Sequence, residues 1–197
     1  MATPSPDDQD SDHPKRADAR RNEATLLAAA ARVFVANGVG APIRQIAEEA
    51  GVGVGTVYRH FPSRADLVIA VYRHQVEACA ESGPELLDNA DSPALALRQW
   101  IDQFVDFLAT KHGLAEVANA GDQSFARLHD YFLDRLVPVC AQLLTAATEA
   151  GEITVDITPY ELMRGIGNLC IGGHHDDRYE PRRLIDALLD GLQSPAG

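Results

Sequence analysis

The sequence contains few cysteines and no long apolar run. Its three cysteines, Cys79, Cys140 and Cys170, lie far apart and form no CxxC pair, which argues against a disulfide framework or a zinc knuckle and favours a reducing compartment. No run of about 18 apolar residues occurs, so we expect no membrane-spanning helix. The N-terminus has no apolar segment typical of a secretory signal. These absences predict a cytoplasmic protein.

The sequence also lacks the common catalytic signatures GxSxG, HExxH and the P-loop. Residues 174–177 (HHDD) are of metal-ligand type, but adjacent side chains seldom aim at one ion together, so we expect no metal site. The glycines of residues 51–55 resemble a dinucleotide fingerprint, yet they follow a helical AEEA segment, and Thr56 stands in place of the third glycine. We therefore predict no catalytic residue, no cofactor and no metal.

Basic residues are a minority, but they are concentrated in one segment. The net charge is −12. Residues 1–14 contain four acidic and no basic residues, residues 15–75 contain nine basic and five acidic ones, and residues 76–197 contain eight basic and twenty acidic ones. If the protein binds a negatively charged partner, we therefore expect residues 15–75 to form the contact. Residues 1–14 cannot bury enough apolar surface to offset their ordering entropy, so we expect a disordered acidic tail.

Apolar spacing and helix punctuation predict an all-α fold of nine or ten helices. In the first half, we expect a helix from Asp18 to about Asn37, with stops at Gly38 and Gly51. Ser63 should cap the fourth helix with Asp66 as its capping-box partner. This helix is expected to pass into a longer one that ends near residues 82–84 (SGP).

The second half repeats the helical pattern at greater length. A helix that opens at residues 92–93 should end near residue 113, followed by a short helix over residues 114–119. A long helix is predicted over residues 123–150, with Gly151 as its stop and a kink at Pro138 because proline clashes with the preceding turn. The last two helices are predicted over residues 158–171 and 181–192.

Residues 42–61 (PIRQIAEEAGVGVGTVYRHF) predict two short helices joined by a glycine turn, which is a helix-turn-helix. Such a motif places the first turn of its second helix, here Val54, Gly55 and Thr56, in a major groove of DNA. Tyr58 and His60 offer donors to phosphate oxygens. Arg44 on the preceding helix can reach a base edge or a phosphate.

The span from Arg20 to about Tyr72 resembles the DNA-binding domain of the tetracycline-repressor (TetR) family. The matching stretches are LLAAAARVFVANG, IRQIAEEAGVGVGTVYRHF and PSRADL. The resemblance implies a homodimeric transcriptional repressor that binds double-stranded DNA at a palindromic operator and is released by a small-molecule effector. It also implies positions that contact DNA: Arg44, Val54, Gly55, Thr56, Tyr58, Arg59, His60 and Arg64.

The resemblance divides these positions by role. Val54, Gly55 and Arg59 fall where sequence preference is set, and Arg64 stands where a helix-four lysine contacts phosphate. The sequence departs from the family pattern at residues 41–42, where Ser or Thr is common, and at Gly53, which replaces a frequent Ser. Glycine still caps a helix tolerably, so we expect an altered set of DNA contacts with binding retained.

We expect three segments: a tail over residues 1–14, a helix-turn-helix domain over residues 15–65, and a ligand-binding and dimerisation domain over residues 66–197. Dimer faces are expected on residues 127–150 and 158–171. The acidic second half weakly favours a cationic or neutral ligand. Apolar and amphipathic residues at helical spacing suggest the pocket: Trp100, Phe104, Phe107, Phe125, His129, Phe132 and Met163.

Two other functions fit parts of the sequence. The chain could be a helical protein-interaction module that carries a vestigial DNA-binding motif. It could also be an enzyme built on a helical bundle. Loss of DNA binding on substitution of Tyr58 and His60 by alanine would argue against the first, and turnover that survives those substitutions would support the second.

Overall fold

The computed structural model describes the backbone of residues 12–117, 123–171 and 178–193, and the side chains of residues 21–108, 127–171 and 178–193. This part of the chain forms eight helices, and the predicted all-α fold is confirmed. They are α1 (Asp12–Asn37), α2 (Ile43–Glu49), α3 (Val54–His60), α4 (Arg64–Asn89), α5 (Pro93–Val117), α6 (Gln123–Glu149), α7 (Pro159–Leu169) and α8 (Pro181–Leu192).

The helix count is lower than the nine or ten that the sequence predicts, because α5 includes residues 114–117 of the expected short helix, and α4 is one helix where a fourth helix was expected to pass into a longer one. Two predicted boundaries are also wrong. The backbone of α5 continues as one helix to Val117, past the break expected near residue 113. Helix α4 continues to Asn89, past the break expected at residues 82–84. A single glycine or proline weakens a helix without ending it when packing compensates.

The N-terminal boundary also differs from the prediction. Helix α1 begins at Asp12, before the predicted start at Asp18, so it includes residues 12–14 that the sequence assigned to the acidic tail. Residues 1–11 of that tail lie outside the described residues.

Other helix ends lie at the stop and capping residues that the sequence predicts. Gly38, Gly51 and Gly151 have φ of 75°, 67° and 73°, a left-handed conformation that glycine adopts without a Cβ penalty. The Ser63 backbone N–H donates to Asp66 Oδ2 at 3.0 Å, and the Asp66 N–H donates to Ser63 Oγ at 3.1 Å. These reciprocal bonds form the predicted capping box at the start of α4.

The described chain divides into two compact units, Met1–His74 and Gln75–Gly197. The first unit contains α1, α2, α3 and the beginning of α4, and its buried residues include Leu26, Ala30, Phe34, Ile46, Val57, Leu67 and Val71. The second unit contains the rest of α4 and α5 to α8, and its buried residues include Trp100, Phe104, Phe107, Leu136, Leu143, Ile166 and Ile185. Burial of such side chains from water stabilises each unit.

Close packing keeps α4 helical around Pro84, in spite of the missing proline N–H. A Cβ added to Gly83 would overlap Cγ1 of Val139, so the α4 backbone approaches the α6 side chains as closely as only glycine allows. Helix α6 itself runs unbroken through Pro138.

Four ion pairs fix α8 against α5 in an antiparallel arrangement. Arg98 of α5 binds Asp186 at 2.9 Å and also binds Asp190. Arg182, at the opposite end of α8, binds Asp102 at 3.1 Å and Asp106 at 2.5 Å. Exposed pairs of this kind contribute at most about 1 kcal/mol each, so they set orientation more than stability.

Candidate nucleic-acid interface and ligand cavity

Helices α2 and α3 form a compact helix-turn-helix. The turn between them is closed by two backbone bonds, from the Gly51 N–H to the Glu48 oxygen at 3.1 Å and from the Val52 N–H to the Ala47 oxygen at 2.9 Å. Ile46 and Val57 are buried and face the rest of the first unit's core. The apolar spacing that predicted the motif therefore also fixes which side of α3 faces outward.

The outward side of α3 carries residues that are expected to contact DNA. Val54 is 38% exposed and Tyr58 is 51% exposed, although both are large. A Cβ added to Gly55 would meet no atom within 4 Å, so this backbone is open to close approach. The Thr56 side chain is half-buried, and Arg59 is exposed.

The ends of α3 are less regular. Gly53 occupies the N-cap with φ −73° and ψ 146° and provides no side-chain cap, as its lack of a hydroxyl requires. His60 is half-buried at the other end, and its ring lies 6.1 Å from the ring of Phe61 at an angle of 40°.

Arg44 lies exposed on α2, and its Nε binds Glu48 Oε1 at 2.8 Å. This pair joins residues one turn apart. The terminal N–H groups of the same guanidinium remain as additional donors, so the pair is compatible with a phosphate contact. A second pair joins Arg32 Nε of α1 to Glu49 Oε1 of α2 at 2.9 Å.

Arg64 has a structural role that the sequence did not predict. One terminal nitrogen donates to the Val39 carbonyl at 2.5 Å, and the other donates to the Ala41 carbonyl at 2.8 Å. The guanidinium therefore holds the loop between α1 and α2 against the start of α4. Buried backbone carbonyls need donors, but a loop more than twenty residues away in sequence gives no signal of which donor it will meet.

The second unit contains a cavity of about 180 Å³ between α5, α6 and α7. Four of the predicted pocket residues line it: Phe104, His129, Phe132 and Met163. Seven further residues complete the lining, and the sequence interpretation did not select them: Leu108, Leu133, Tyr160, Arg164, Gly167, Asn168 and Ile171.

Trp100 and Phe107 are not among the lining residues and are buried in the adjacent core. The Trp100 indole donates to the Cys79 carbonyl at 2.8 Å, so its polar group is already used within the protein. Phe125 lies outside the residues whose side chains are described.

An aromatic stack forms one wall of the cavity and continues into the core. The rings of His129 and Phe132 lie 5.7 Å apart, those of Phe132 and Phe104 lie 6.0 Å apart at 9°, and those of Phe104 and Trp100 lie 5.7 Å apart at 6°. Near-parallel aromatic rings at these distances pack favourably. The cavity wall therefore suits a flat apolar group.

Three of the polar residues that line the cavity lie on one helix, and the fourth, His129, lies on α6. Tyr160, Arg164 and Asn168 follow each other at intervals of four residues along α7, so they share a face. Tyr160 is 47% exposed, and all three belong to the cavity lining. The sequence analysis assigned the whole helix over residues 158–171 to a dimer face and did not select these three residues for the pocket, although their i, i+4, i+8 spacing is visible in the sequence.

The three thiols of the chain are free and buried. Burial raises the pKa of the Cys79 and Cys140 thiols to about 12 and that of Cys170 to about 11. Such thiols are poor nucleophiles at neutral pH.

Across residues 21–108, 127–171 and 178–193, whose side chains are described, no group of three His, Cys, Asp or Glu side chains could hold a metal ion. Residues 174–177 fall in a gap of that range. Within the same described segments, no helix has the length and hydropathy needed to cross a membrane.

Two family models match the chain, one in each half. The model described as "Bacterial regulatory proteins, tetR family" matches residues 26–71. The model described as "Transcriptional regulator SbtR-like, C-terminal domain" matches residues 92–194. An HTH-type transcriptional regulator of Staphylococcus aureus (strain USA300) is 25% identical over 128 residues, which cover 60% of this chain and 69% of that protein.

Solved structures agree with these matches. A TetR transcriptional regulator from Streptomyces coelicolor is 35% identical, with a TM-score of 0.71 over 87% of this chain and 98% of that one. A TetR regulatory protein from Mycobacterium vanbaalenii is 32% identical, with a TM-score of 0.65 over 92% of this chain and 100% of that one. The fold is shared by the regulator FadR from Bacillus subtilis in complex with stearoyl-CoA, at 21% identity, a TM-score of 0.54, and coverage of 88% of this chain and 98% of that one. The chain belongs to the TetR family of DNA-binding transcriptional regulators.

Proposed function

We propose that this regulator is a homodimeric repressor that binds a palindromic operator through α3 and leaves it when a small molecule occupies the cavity. The observation that supports the proposal is that one side of α3 is buried and the other side is exposed. Val57 is buried in the core, while Val54 and Tyr58 are exposed on the outer side. A recognition helix needs this arrangement, because its outer residues must reach base edges and the backbone of the duplex.

Base reading is assigned to the first turn of α3 and to Arg59. The open backbone at Gly55 permits close approach to the groove floor, and the Val54 methyl groups suit contact with a thymine methyl. Arg59 is exposed and carries a fork of donors that suits guanine. These three residues are proposed to set sequence preference.

Phosphate contacts are assigned to Arg44, Thr56, Tyr58 and His60, which surround that turn. Hydroxyl, imidazole and guanidinium donors fix the register of a protein on DNA without reading its sequence. Arg64 is assigned a double role, since two of its N–H groups hold the loop before α2 and the remaining ones can reach a phosphate.

Members of the TetR family act as dimers, and we assign the dimer face to α7 and α8. On α8, Leu184 is 45% exposed, and Ala187 and Gly191 are exposed on the same side, at i+3 and i+7. Added Cβ atoms at Gly165 of α7 and Gly191 would meet no atom within 4 Å. Small and apolar residues on an exposed helix face suit packing against a second copy.

Effector control requires a ligand that prefers the conformation with low DNA affinity. Helix α4 is suited to this coupling because it contributes residues to both units, and because Trp100, at the end of the aromatic stack that begins at the cavity, binds its Cys79 carbonyl. We propose that an occupied cavity shifts the second half of α4 and thereby weakens operator binding.

The test begins with selection of binding sites from a random DNA pool. We expect a two-fold symmetric consensus, and we expect Tyr58→Phe to weaken binding to consensus and mismatched sites by a similar factor, since it removes one phosphate donor. Tyr58→Ala should weaken binding at least about tenfold, which is 1.4 kcal/mol. The matched control is Val155→Ala, which truncates a comparably exposed side chain in the second unit. Failure to enrich any sequence, or equal effects of Tyr58→Ala and Val155→Ala, would contradict the proposal.

A further inference from the structure

We infer that the cavity between α5, α6 and α7 binds a small hydrophobic carboxylate, with an apolar body about the size of one aromatic ring and its carboxylate bound by Arg164. This inference rests on the proposed function in treating the cavity as the effector site, and it assigns the chemical class of the effector. It also reverses the expectation of a cationic or neutral ligand that the net charge of the second half suggested.

The charge of the lining differs in sign from the charge of the unit around it. Residues 76–197 carry twenty acidic and eight basic residues. Among the described residues of the cavity lining, however, there is no carboxylate, and Arg164 is the one Lys or Arg. Arg164 is exposed, so its guanidinium can be reached from solvent, and the arginine fork matches the geometry of a carboxylate. We therefore expect the charge of the cavity lining, rather than the net charge of residues 76–197, to decide which ligand binds.

Arg164 is available for such a ligand. Arg98, Arg135 and Arg182 of the same unit each bind at least one carboxylate within the protein, whereas no carboxylate of the described residues lies within ion-pair distance of Arg164. The nearest acidic residue on its own helix is Glu161, one turn earlier. That carboxylate accepts bonds from the Thr158 N–H at 2.9 Å and the Thr158 hydroxyl at 2.6 Å, so it is used to cap α7.

Tyr160 and Asn168 lie one turn before and one turn after Arg164, and both line the cavity. A phenol and an amide in these positions can donate to the second oxygen of the same carboxylate. Three polar side chains are thus gathered on α7, and the stack of Phe104, Phe132 and His129 lines the cavity from α5 and α6. A ligand with one charged end and one flat apolar end satisfies both walls.

The volume sets the size of the apolar part. A cavity of about 180 Å³ slightly exceeds the roughly 150 Å³ that accommodates benzene in an apolar protein interior. One ring with a short acidic side chain fills such a space. A larger acid would have to extend past Tyr160 and Arg164 into solvent.

The experiment compares three ligands of one shape: 3-phenylpropionate, 3-phenyl-1-propanol and 3-phenylpropylamine. Binding to the full-length protein is followed by the fluorescence of Trp100, the only tryptophan, which stacks on the cavity residue Phe104. We expect the acid to bind at least tenfold more tightly than the alcohol, and the amine to bind most weakly. Equal or tighter binding of the amine, or no saturable binding of the acid up to its solubility limit, would overturn the inference.

Two variants test the assigned residue. Arg164→Gln should weaken binding of the acid at least tenfold and leave binding of the alcohol within about twofold, because it removes charge and retains most of the volume; a tenfold change corresponds to 1.4 kcal/mol. Arg164→Lys should retain part of the preference for the acid. The control is Arg183→Gln, an exposed arginine of α8 outside the cavity. Unchanged acid binding in Arg164→Gln would overturn the assignment.

The same titrations carried out in the presence of operator DNA separate this inference from the proposed function. Acid binding that depends on Arg164 but leaves DNA affinity unchanged would support the ligand class and contradict effector control. Release of DNA by the amine, with no response to the acid, would support effector control and overturn the ligand class.

Discussion

The indole nitrogen of Trp100 donates a 2.8 Å hydrogen bond to the carbonyl oxygen of Cys79, which joins the middle of the second unit's core to α4. The same carbonyl accepts a 3.0 Å bond from the Ser82 hydroxyl. Pro84 lies just beyond and cannot donate a helical bond to residue 80. The indole therefore binds α4 one residue before the carbonyl that Pro84 leaves without its helical donor.

We predict that Trp100→Phe lowers the free energy of unfolding by about 2 kcal/mol, since it removes the donor and leaves a small void beside Phe104. The measurement is urea denaturation followed by circular dichroism. Phe107→Leu is the matched control, because it removes volume from the same core without removing a donor, and it should cost about 1 kcal/mol. Equal stability of Trp100→Phe and the unmodified protein would show that the bond contributes nothing.

Substitution of Gly83 by alanine tests how closely α4 and α6 approach each other. In an exposed helix, Gly→Ala stabilises by about 1 kcal/mol. At this position we predict the opposite sign, a loss of about 1–3 kcal/mol, because the new methyl group would overlap Val139 Cγ1. The double substitution Gly83→Ala/Val139→Ala should recover part of the loss, and a purely additive result in the thermal melts would refute the predicted contact.

The hydrogen bonds of Glu77 predict that the protein loses stability as the pH falls into the acid range. Its carboxylate accepts bonds from Arg135 Nε at 3.0 Å and from an Arg135 terminal nitrogen at 2.6 Å, and it also binds the Tyr131 hydroxyl. The Arg135 bond first, and the Tyr131 bond second, hold the pKa of Glu77 below its ordinary value. Because its pKa is lowered on folding, ionised Glu77 adds to the free energy of unfolding at pH values above its unfolded pKa, about 4.3. This contribution is lost as the pH falls through the pKa of Glu77 in the folded protein.

We expect Glu77→Gln to lower the free energy of unfolding by about 0.5–1 kcal/mol at pH 7, a modest amount because the pair is partly solvated. The difference from the unmodified protein should shrink as the pH falls from 5 towards 3. Thermal melts across this range measure it. Glu85→Gln, on an exposed position of the same helix, should show no such trend, and a Glu77→Gln deficit that stays constant down to pH 3 would contradict the assignment.

The proposed dimer face predicts which substitution separates the subunits. Leu184→Glu places a charge in the centre of the exposed apolar side of α8 and should convert the dimer to a monomer, because an unpaired charge is costly to bury. Val155→Glu adds the same charge at an equally exposed position outside that face and should leave the dimer intact. Sedimentation velocity distinguishes the two. A dimeric Leu184→Glu variant would locate the interface elsewhere.

Local chemistry explains which parts of the structure were predictable. Several helix ends depend only on neighbours within a few residues, and the sequence predicts each of them correctly. They are the stops at Gly38, Gly51 and Gly151, the Ser63 capping box and the start of the helix at Pro181. The helix-turn-helix is equally local, since its apolar spacing fixes the outward side of α3.

Features that depend on distant contacts were not predictable. Helix α4 passes through Pro84 with the side chains of α6 packed against it, and no local pattern reports that packing. Trp100 has the polar tip expected of a pocket residue, but its indole is bound to a carbonyl 21 positions away. Arg164 was not selected for the pocket because its helix was assigned to a dimer face, whereas the composition of a cavity lining depends on which helix faces meet.

Whether α3 reads DNA as part of a dimer is decided by a salt titration of operator affinity. Fluorescence anisotropy would follow binding of the purified protein to labelled DNA from just upstream of its own coding sequence. We predict nanomolar affinity, two subunits per site, and a log–log salt slope of about −5 or steeper, as expected when several phosphates are contacted. Affinity no greater than for random DNA of the same length, followed by failure of random-pool selection to yield any symmetric site, would contradict this prediction.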